Sequence, residues 1–325
     1  KSLTFVKQPL VYIVIVSYNG RHNLEYCLPT LVSQDYPNFK IFIADNNSTD
    51  NTQEWLMHHH PEVYLIKQNK NIGMAAMNEV MTWPAEKGLP GIPEYIFVAG
   101  WDLKFDRRCI SHAVELMNQK KDIGLLGFEV IGLFDWADPS ELDTRSANWR
   151  KTEFFETDWV PGACSFYRAD LLREVGFLDP AYFAYAEEDD MQFRVKESNF
   201  KRVIINTPCW QNVRESAIPL EVASYLSMRN TIRFQIKNRS LMHGLRTALL
   251  ILNNACSPFV TLDLSKRVNQ RMRPFSLWSN FMIWAKAFLW NLVNLKDTLN
   301  ASREVISSVD RGKQLFNRLN YGNNK

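Results

Sequence analysis

The sequence is poor in the features that mark several classes of protein. Its 325 residues include only 13 glycines and 14 prolines, too few for a collagen-like or low-complexity chain. The five cysteines lie far apart and form no CxxC pair, so neither a zinc knuckle nor a disulfide framework is indicated, and we expect reduced cysteines in a cytoplasmic protein. No uncharged apolar stretch reaches about 18 residues, so no transmembrane helix is predicted. The first ten residues, KSLTFVKQPL, lack the order of basic, apolar and small residues that signal peptides show.

The chain as a whole has little excess of either charge. The net charge is only +3, from 38 Lys and Arg against 35 Asp and Glu, and this total indicates neither a nucleic-acid partner nor an acidic substrate. Residues 226–325, however, carry 16 basic and 4 acidic residues, whereas residues 1–225 carry 22 and 31. With 46% hydrophobic residues the chain can bury a large core. We therefore predict a globular domain over residues 1–225 and a basic, amphipathic helical region over residues 226–325.

Short apolar runs alternate with segments of helical length in the first part of the chain. The first run, VYIVIV at residues 11–16, is rich in β-branched residues on both faces, as in a strand that is covered on both sides. Similar runs occupy residues 41–44, 63–66, 95–99 and 123–130, and the helical segments are residues 22–33, 50–58, 74–82 and 107–119. This alternation predicts an α/β fold with a parallel sheet, in which ligands bind beyond the carboxyl ends of the strands.

A second α/β stretch follows a polar and aromatic segment. Residues 131–160 are weakly periodic, which predicts a long functional loop. After it we predict strands at residues 163–167 and 202–205, and helices at residues 169–175 and from residue 187. Beyond residue 216 the pattern is helical.

Polar residues follow each of the first three predicted strands. They are SYNG at residues 17–20, DNNSTD at residues 45–50, and the small-residue segment of residues 69–78. Hydroxyls, amides and carboxylates at helix starts beyond strand ends suit a nucleotide. The alternative is that Asp50 caps a helix together with Gln53, and that Asn46 and Asn47 only turn the chain.

Carboxylates occur at two further places. Asp102 follows the fourth predicted strand, where it could bind a divalent ion shared with a diphosphate, although a turn is the simpler explanation. Four consecutive acids, EEDD at residues 187–190, open a predicted helix. Their mutual repulsion is expected to raise at least one pKa, which suits a general base or a metal site. The alternative is an acidic first turn favoured by the helix dipole, but the apolar neighbours Phe183 and Met191 indicate partial burial and favour a function.

Taken in order, these motifs resemble the family 2 inverting glycosyltransferases of GT-A fold, in particular the bacterial branch that contains rhamnosyl- and galactofuranosyltransferases. The resemblance covers about residues 10–235. Its motifs are VIVSYN at residues 14–19, ADNNSTD at 44–50, NIG at 71–73 with Asn78, the strand that ends at Asp102, WVPGAC at 159–164, EVGFLD at 174–179, the acidic motif at 187–194, and Arg229-Asn230.

The resemblance implies a Rossmann-like, mainly parallel mixed sheet flanked by helices, with a donor half of about residues 10–130 and an acceptor half of about residues 155–225. It implies a UDP- or dTDP-sugar as donor and a hydroxyl of a glycan or lipid-linked glycan as acceptor. The residues implied in donor binding are Ser17, Tyr18, Asn19, Asp45, Asn46, Asn71, Gly73, Asn78, Trp101, Asp102 and Arg229. Those implied at the acceptor are Trp159, Gly162, Ala163, Glu187 and Asp190. Glu188 matches the catalytic base, and Asp102 matches a ligand of Mg²⁺ or Mn²⁺.

Two positions depart from the metal-binding pattern of the family. Gly100 stands where the family has the first carboxylate of its DxD-like motif. Gln211 or Asn212 stands where the family often has a histidine. Asp102 is then the one side-chain ligand that matches, and one carboxylate together with diphosphate oxygens can suffice for Mg²⁺.

The base position departs from the pattern as well, because Glu188 replaces the usual aspartate and either Asp189 or Asp190 could serve instead. The departures motivate a second hypothesis, a catalytically weakened relative that binds nucleotide sugar or glycan in an assembly. A third hypothesis is a sugar-phosphate nucleotidyltransferase, which would release pyrophosphate.

The basic region contains an amphipathic segment at residues 275–295. A mostly polar stripe of Ser276, Asn280, Ile283, Lys286, Asn291 and Asn294 lies opposite Trp278, Phe281, Trp284, Phe288 and Leu292. Tryptophans that follow the cations Lys266, Arg267, Arg271 and Arg273 suit a helix on the inner membrane surface. The alternative is a helix that packs on the catalytic domain or on a second subunit. No nucleic-acid recognition motif accompanies the charge, so we expect no nucleic-acid partner.

Overall fold

The computed structural model describes residues 8–80, 91–133, 154–212, 218–256 and 275–301. These residues form two compact units: the first takes in those up to residue 177 and residues 194–212, and the second takes in residues 178–193 and those from residue 218 onwards. The acidic motif is thus grouped with the helices of the second unit, and the functional boundary at residue 225 stays a prediction. Most of the predicted loop of residues 131–160 and the four cations at residues 266–273 lie outside the described residues.

The first unit alternates strands and helices, as the periodicity predicts. Its strands are β1 (Val11–Ser17), β2 (Phe39–Asp45), β3 (Tyr64–Lys67), β4 (Tyr95–Ala99), β5 (Leu103–Phe105), β6 (Ile123–Leu133), β7 (Phe154–Glu156), β8 (Cys164–Arg168) and β9 (Lys201–Asn212). Its helices are α1 (Arg21–Val32), α2 (Thr52–His59), α3 (Cys109–Gln119) and α4 (Ala169–Val175). The predicted helix at residues 74–82 begins as a 3₁₀ helix, Gly73–Ala76, and stays helical to residue 80, where the described segment ends.

One mixed sheet runs through this unit in the order β3-β2-β1-β4-β8-β6-β9-β5, with β7 paired to β9. The strands β3, β2, β1 and β4 are parallel to one another, and β1 is buried on both faces, as its β-branched run predicts. The predicted α/β class and mixed sheet are confirmed. The purely parallel sheet suggested by the alternation alone is wrong beyond β4, because β8 lies between β4 and β6 and is antiparallel to both.

Strand register brings the predicted ligand-binding segments to one edge of the sheet. Ser17 is directly opposite Asp45 where β1 and β2 end, and Ala99 at the end of β4 is opposite Cys164 at the start of β8. The loops after β1, β2 and β4 and the loop before β8 therefore meet at the same edge, where ligands of such sheets bind.

The second unit is helical. It contains a short 3₁₀ helix (Pro180–Tyr182), the first seven residues of α5 (Glu187–Lys196), and the helices α6 (Leu220–Asn238), α7 (Leu241–Cys256) and α8 (Leu277–Val293). The helices α6, α7 and α8 pack against one another around a core of Met228, Ile232, Ile236, Ala248, Ile251, Ala255, Ile283 and Ala287. Among the described residues, no helix has the length and apolar character needed to cross a membrane.

The helix α8 packs through the stripe that was expected to be its polar side. Asn280, Ile283 and Asn291 are buried, whereas Trp278, expected on the opposite face, is 69% exposed. The side-chain amide of Asn291 donates to the backbone carbonyl oxygens of Arg229 and Ala287, both at 2.9 Å. An asparagine whose amide is hydrogen-bonded can be buried beside small apolar residues. Part of the polar stripe is thus the packed side of α8, and the expected contact of the tryptophan face with a membrane stays a prediction.

Buried ion pairs join the acidic motif to α6. Lys237 Nζ donates to Asp179 Oδ2 and to Asp190 Oδ2, both at 2.9 Å, and the guanidinium of Arg233 donates to Asp179 Oδ2 at 3.0 Å. The side chains of Lys237, Arg233 and Asp190 are almost completely buried. Although burial raises the pKa of Asp179, Lys237 and Arg233 lower it to about 2. The four charges compensate one another only as a set.

We expect Lys237→Met to destabilise the protein by about 3–5 kcal/mol, because it leaves a buried carboxylate without its partner. Lys286→Met on the exposed part of α8 is the matched control and should change stability by no more than about 0.5 kcal/mol. Urea denaturation followed by circular dichroism measures both effects. Equal midpoints for the two variants would show that the buried ion pairs contribute nothing.

Candidate active site

A buried serine hydroxyl lies at the end of β1. The side chain of Ser17 is completely buried, and its hydroxyl has no hydrogen-bond partner in the described part of the chain. At Gly20 an added Cβ would lie 2.7 Å from Ser17 Oγ and 3.3 Å from the ring of Trp101. Glycine at this position therefore keeps space between the serine and the tryptophan. A buried hydroxyl without a partner at a strand end is suited to accept or donate a hydrogen bond to a ligand.

The carboxylate of Asp45 organises the loop after β2. It is fully buried and accepts from the backbone N–H of Ser48 at 2.9 Å, from the Ser48 hydroxyl at 2.5 Å and from Gln53 Nε2 at 2.6 Å. The alternative capping pair of Asp50 with Gln53 does not form. Asp50 does accept at the start of α2, from the backbone N–H of Thr52 at 3.2 Å, and its other carboxylate oxygen accepts from the backbone N–H of Arg21 at the start of α1.

Asparagine side chains tie three loops together at this edge. Asn19, which has φ 49°, accepts from the backbone N–H of Thr49 at 2.8 Å. Asn46 Nδ2 donates to the carbonyl oxygen of Gly73 at 3.1 Å, and Asn71 Oδ1 accepts from the N–H of Gly73 at 2.9 Å. The loops after β1, β2 and β3 are thereby fixed relative to each other.

Most of the predicted donor-binding residues of the first unit are thus brought together. This holds for Ser17, Tyr18, Asn19, Asp45, Asn46, Asn71, Gly73, Trp101 and Asp102, whereas Asn78 lies half-buried in the helical turn that follows the third loop. Several of these side chains form hydrogen bonds with the backbone of the loops, as Asn19, Asp45 and Asn46 do. Their contacts with a nucleotide stay predictions.

Asp102 is held by the end of β9. Gln211 Nε2 donates to Asp102 Oδ2 at 3.0 Å, and the backbone N–H of Asn212 donates to the carbonyl oxygen of Asp102 at 3.0 Å. Burial raises the pKa of Asp102, although the hydrogen bond from Gln211 lowers it. In place of a histidine ligand, the sequence thus supplies an amide that stabilises the carboxylate directly.

Packing accounts for the glycine in the DxD-like motif. A Cβ at Gly100 would lie 2.4 Å from Leu103 Cδ1, 2.8 Å from Asp102 Oδ1 and 3.2 Å from the carbonyl oxygen of Ala163, which also accepts from the Gly100 N–H at 2.6 Å. Within the described ranges, no cluster of three or more His, Cys, Asp or Glu could hold a metal ion. The donor set fits a divalent ion only in the sparse form that Mg²⁺ accepts, with one carboxylate and the remaining ligands from phosphate and water.

The predicted acceptor residues of the first unit lie before β8. Ala163 contacts Gly100 through the hydrogen bond just described, and the carbonyl oxygen of Gly162 accepts from the hydroxyl of Ser165 at 3.1 Å. Trp159 is exposed at the surface, and its backbone N–H donates to the hydroxyl of Thr157 at 3.2 Å. Gly162 and Ala163 therefore border the same edge as Asp102.

The acidic motif of the second unit contains two carboxyl groups with different surroundings. Glu187 is buried, and this burial, together with the neighbouring charge of Glu188, raises its pKa well above the ordinary value. The two side chains share a hydrogen bond, and Glu188 is partly exposed. Glu187 therefore favours its protonated form beside an accessible carboxylate.

Two of the predicted ligand-binding residues make contacts inside the second unit. Asp190 is completely buried and accepts from Lys237, from Asn238 Nδ2 at 2.8 Å and from the hydroxyl of Tyr182 at 3.2 Å. The guanidinium of Arg229 lies 4.5 Å from the ring centroid of Trp290, and burial lowers its pKa. The predicted roles of Asp190 at the acceptor and of Arg229 at the donor stay predictions. In the structure both side chains contact other residues of the second unit.

Sequence reasoning missed the residues that hold the site in place. Lys237 contacts the acidic motif at Asp190, whereas Asn230 and Arg233 contact Tyr185 and Asp179 in the segment before it. Of these three α6 residues, only Asn230 belongs to a motif recognised in the sequence. Gln211 was noted as a replaced ligand, and its contact with Asp102 was not foreseen. The spacing of Arg233 and Lys237, four residues apart on one helix, was the available signal for a shared face.

Comparison with known proteins identifies the fold. The family model described as glycosyl transferase family 2 matches residues 12–176. The chain is 23% identical to an N-acetylglucosaminyl-diphospho-decaprenol L-rhamnosyltransferase of Mycobacterium tuberculosis over 59% of this chain and 72% of that protein. The solved structure of GalNAc-T7 with UDP, GalNAc and Mn²⁺ is similar, with a TM-score of 0.56 and 12% identity, over 89% of this chain and 58% of that one. The structure of S. aureus TarS 1–349 with UDP-GlcNAc is also similar, with a TM-score of 0.52 and 14% identity, over 96% of this chain and 92% of that one. The expected GT-A fold with C-terminal helices is confirmed.

The raised pKa of Glu187 predicts a pH-dependent gain of stability in Glu187→Gln. A carboxyl group whose pKa is higher in the folded state stabilises the fold below its unfolded pKa of about 4.3, and this contribution is lost as the pH rises through the folded pKa. Glutamine keeps a neutral donor beside Glu188 at every pH. We expect the melting temperature of the variant to exceed that of the wild type by about 3 °C or more at pH 8 and by little at pH 4.

The exposed Glu197→Gln, one residue beyond α5, is the matched control and should show no such trend. Thermal unfolding monitored by circular dichroism between pH 4 and pH 8 makes the comparison. A difference between Glu187→Gln and wild type that does not change with pH would refute the protonated state of Glu187.

Proposed function

The chain belongs to glycosyl transferase family 2, and from that membership we propose that it transfers a sugar, with inversion, from a nucleotide-sugar donor to a hydroxyl of a glycan or lipid-linked glycan in surface polysaccharide synthesis. One observation carries the proposal. The loops after β1, β2 and β4 meet at one edge of the sheet, where the unpartnered hydroxyl of Ser17 lies at the end of β1 and Asp102 lies beyond the end of β4. This is the edge at which α/β sheets bind nucleotides.

The donor is assigned to the first unit. Tyr18 is partly exposed and lies between the buried Ser17 and the strained Asn19, so its ring is available to the base. UDP is bound by GalNAc-T7 and UDP-GlcNAc by TarS, which supports a UDP- or dTDP-sugar here. The hydrogen bonds that rigidify the three loops prepare the donor site before the ligand arrives.

Asp102 is the residue that would hold Mg²⁺ or Mn²⁺ between the protein and the diphosphate. When bound, such an ion neutralises the negative charge that builds on the departing diphosphate. GalNAc-T7 carries Mn²⁺ beside its UDP, which supports this assignment. Gln211 orients the carboxylate and leaves the protein with a single side-chain ligand.

Glu188 is assigned as the general base. It takes the proton of the acceptor hydroxyl, whose oxygen bonds to the anomeric carbon as the bond from that carbon to the diphosphate breaks. A single displacement of this kind inverts the anomeric configuration. Burial, followed by the neighbouring charge of Glu188, raises the pKa of Glu187, so Glu187 favours its protonated form and Glu188 is assigned as the carboxylate that accepts the proton.

The acceptor is assigned to a lipid-linked sugar. The M. tuberculosis relative is named for a rhamnosyl transfer to N-acetylglucosaminyl-diphospho-decaprenol, which supports rhamnose or a similar sugar and a lipid-linked acceptor. Gly162 and Ala163 offer backbone without bulky side chains at the edge of the sheet, and the exposed ring of Trp159 can stack on a sugar.

A second function has a specific observation in its favour. Gly100 supplies no side chain where a second carboxylate would stand, and Gln211 replaces a histidine. A catalytically weakened relative would bind the nucleotide sugar at the same edge without turning it over.

We expect the purified wild type to release nucleoside diphosphate from a UDP- or dTDP-sugar in the presence of acceptor and Mn²⁺. Glu188→Gln should lower the rate by about 10²–10⁴-fold, because the acceptor hydroxyl loses its base. Asp189→Asn, which removes the exposed neighbouring carboxylate, is the matched control and should retain most of the activity. A coupled diphosphate assay gives the rates, and ligand-induced shifts of the melting temperature show whether each variant still binds the donor.

Each outcome of this assay separates the hypotheses. Donor binding without turnover in the wild type, with or without Mn²⁺, supports the weakened relative. Release of pyrophosphate supports a nucleotidyltransferase. Full activity in Glu188→Gln with a loss in Asp189→Asn moves the base to Asp189.

Membrane contact is assigned to the exposed faces of α7 and α8. These helices contain no Asp or Glu, and their exposed apolar side chains include Leu249 at 64% and Trp278 at 69% exposure. Arg246 and Lys286 are exposed on the same two helices. Apolar side chains with cations and no acids suit the surface of an anionic membrane, on which a lipid-linked acceptor would lie.

We expect the wild type to float with vesicles that contain anionic phospholipid and to float less with neutral ones. Leu249→Glu combined with Trp278→Glu should abolish flotation, because charged side chains resist burial among acyl chains. Leu220→Glu combined with Val222→Glu alters two other exposed apolar residues, on α6, and is the matched control. A wild type that fails to float and dimerises through the residues changed in the first variant would replace the membrane with a second subunit.

A further inference from the structure

The loop before the acidic helix has a strained backbone. Phe183, Tyr185 and Ala186 have φ of 66°, 68° and 67°, a region that non-glycine residues adopt at a cost of about 1–3 kcal/mol each. Phe183 is also the central residue of a γ-turn, with ψ −63° and a hydrogen bond of 2.8 Å from the Ala184 N–H to the Tyr182 carbonyl oxygen. A segment with three such residues needs other contacts to hold it.

Those contacts come from one asparagine of α6. Asn230 is completely buried, and its Nδ2 lies within hydrogen-bond distance of three carbonyl oxygens of the loop: Tyr182 at 2.9 Å, Ala184 at 2.7 Å and Tyr185 at 2.7 Å. Two amide hydrogens are thus shared among three acceptors. The contacts lie on both sides of Phe183 and reach Tyr185, the residue before Ala186.

Arg229 fixes the orientation of that amide. Its Nε donates to Asn230 Oδ1 at 2.7 Å, which directs the NH₂ group of Asn230 toward the loop. The guanidinium also donates to the carbonyl oxygens of Ala181 at 2.9 Å and Tyr182 at 2.7 Å. The ring of Trp290, on α8, packs against the guanidinium of Arg229 and so helps to keep it in this position.

The loop in turn determines where the acidic helix begins. The carbonyl oxygen of Ala186 accepts from the N–H of Asp190 at 2.9 Å, which is the first hydrogen bond of α5. The conformation of Ala186 therefore sets the direction of the turn that carries Glu187 and Glu188. A change of the loop moves both carboxyl groups.

We propose that Asn230 is a positioning residue for the reaction: it holds the strained 183–186 loop, with Arg229 orienting its amide, so that Glu188 is aligned to take the acceptor proton. This proposal rests on the proposed function of Glu188. It assigns the Arg229-Asn230 pair to the alignment of the base.

The test compares Asn230→Ala with a rescue by glycine. Without the amide we expect kcat to fall about 100-fold, as for a displacement of the base of about 1 Å, while the KM for the donor stays within about twofold. Ala186→Gly accepts the positive φ without strain, so in the Asn230→Ala background it should restore kcat by about tenfold. Asn280→Ala removes another buried asparagine of the second unit, whose side-chain amide donates to the carbonyl oxygen of Phe275 at 3.5 Å, and should lower stability without changing kcat.

Hydrogen exchange of the wild type and the variants gives a readout that does not depend on activity. Asn230→Ala should increase exchange in residues 182–190, and Asn280→Ala should not. Unchanged exchange there, an unchanged kcat, or a loss of kcat that glycine does not recover would overturn the proposal. If Asn230→Ala does not fold, Asn230→Ser replaces it under the same criteria. A wild type without turnover would instead refute the proposed function, and exchange would still decide whether Asn230 holds the loop.

Discussion

Lys237 donates to both Asp179 and Asp190, and the placement of the acidic helix depends on that shared contact. Moving an ion from water into a protein interior costs several kcal/mol, and the attraction between partners offsets this only when the geometry is good. Here the guanidinium of Arg233 also donates to Asp179 Oδ2, at 3.0 Å, and the side chains of Arg233 and Lys237 are 1% exposed. Segments far apart in sequence, residues 179–190 and α6, must therefore be in register before either is stable.

The two units hold their functional residues by different means. In the first unit, amide and carboxylate side chains hydrogen-bond to the backbone of nearby loops, as Asn46 does to residues 72 and 73 and Asp50 does to residue 21. In the second unit, charges and one buried amide brace a strained segment. The difference follows from the secondary structure, since a sheet already aligns the ends of its strands whereas a loop before a helix has no such support.

Much of the fold was predictable, because burial on both faces and helical periodicity are local properties of a sequence. The runs at β1, β2 and β4 match the strands closely, and the order of the motifs identified the family. The antiparallel insertion of β8 between β4 and β6 was not predictable from apolar runs, since a buried strand has the same composition in either direction. Which face of α8 packs inside the protein was not predictable for a related reason: composition does not show whether an asparagine such as Asn291 finds an internal partner.

The sequence by itself determined which chemistry is present: a hydroxyl, amides and carboxylates that follow strands, and four acids in a row. The tertiary structure alone decided how each of them is used. It made Asp190 a buried ion-pair partner, placed Gln211 on Asp102 and packed Leu103 and Asp102 closely against Gly100. The physical reason is that a residue type specifies which hydrogen bonds and charges a side chain can offer, whereas burial and the partners supplied by distant segments decide which of these are left for a ligand.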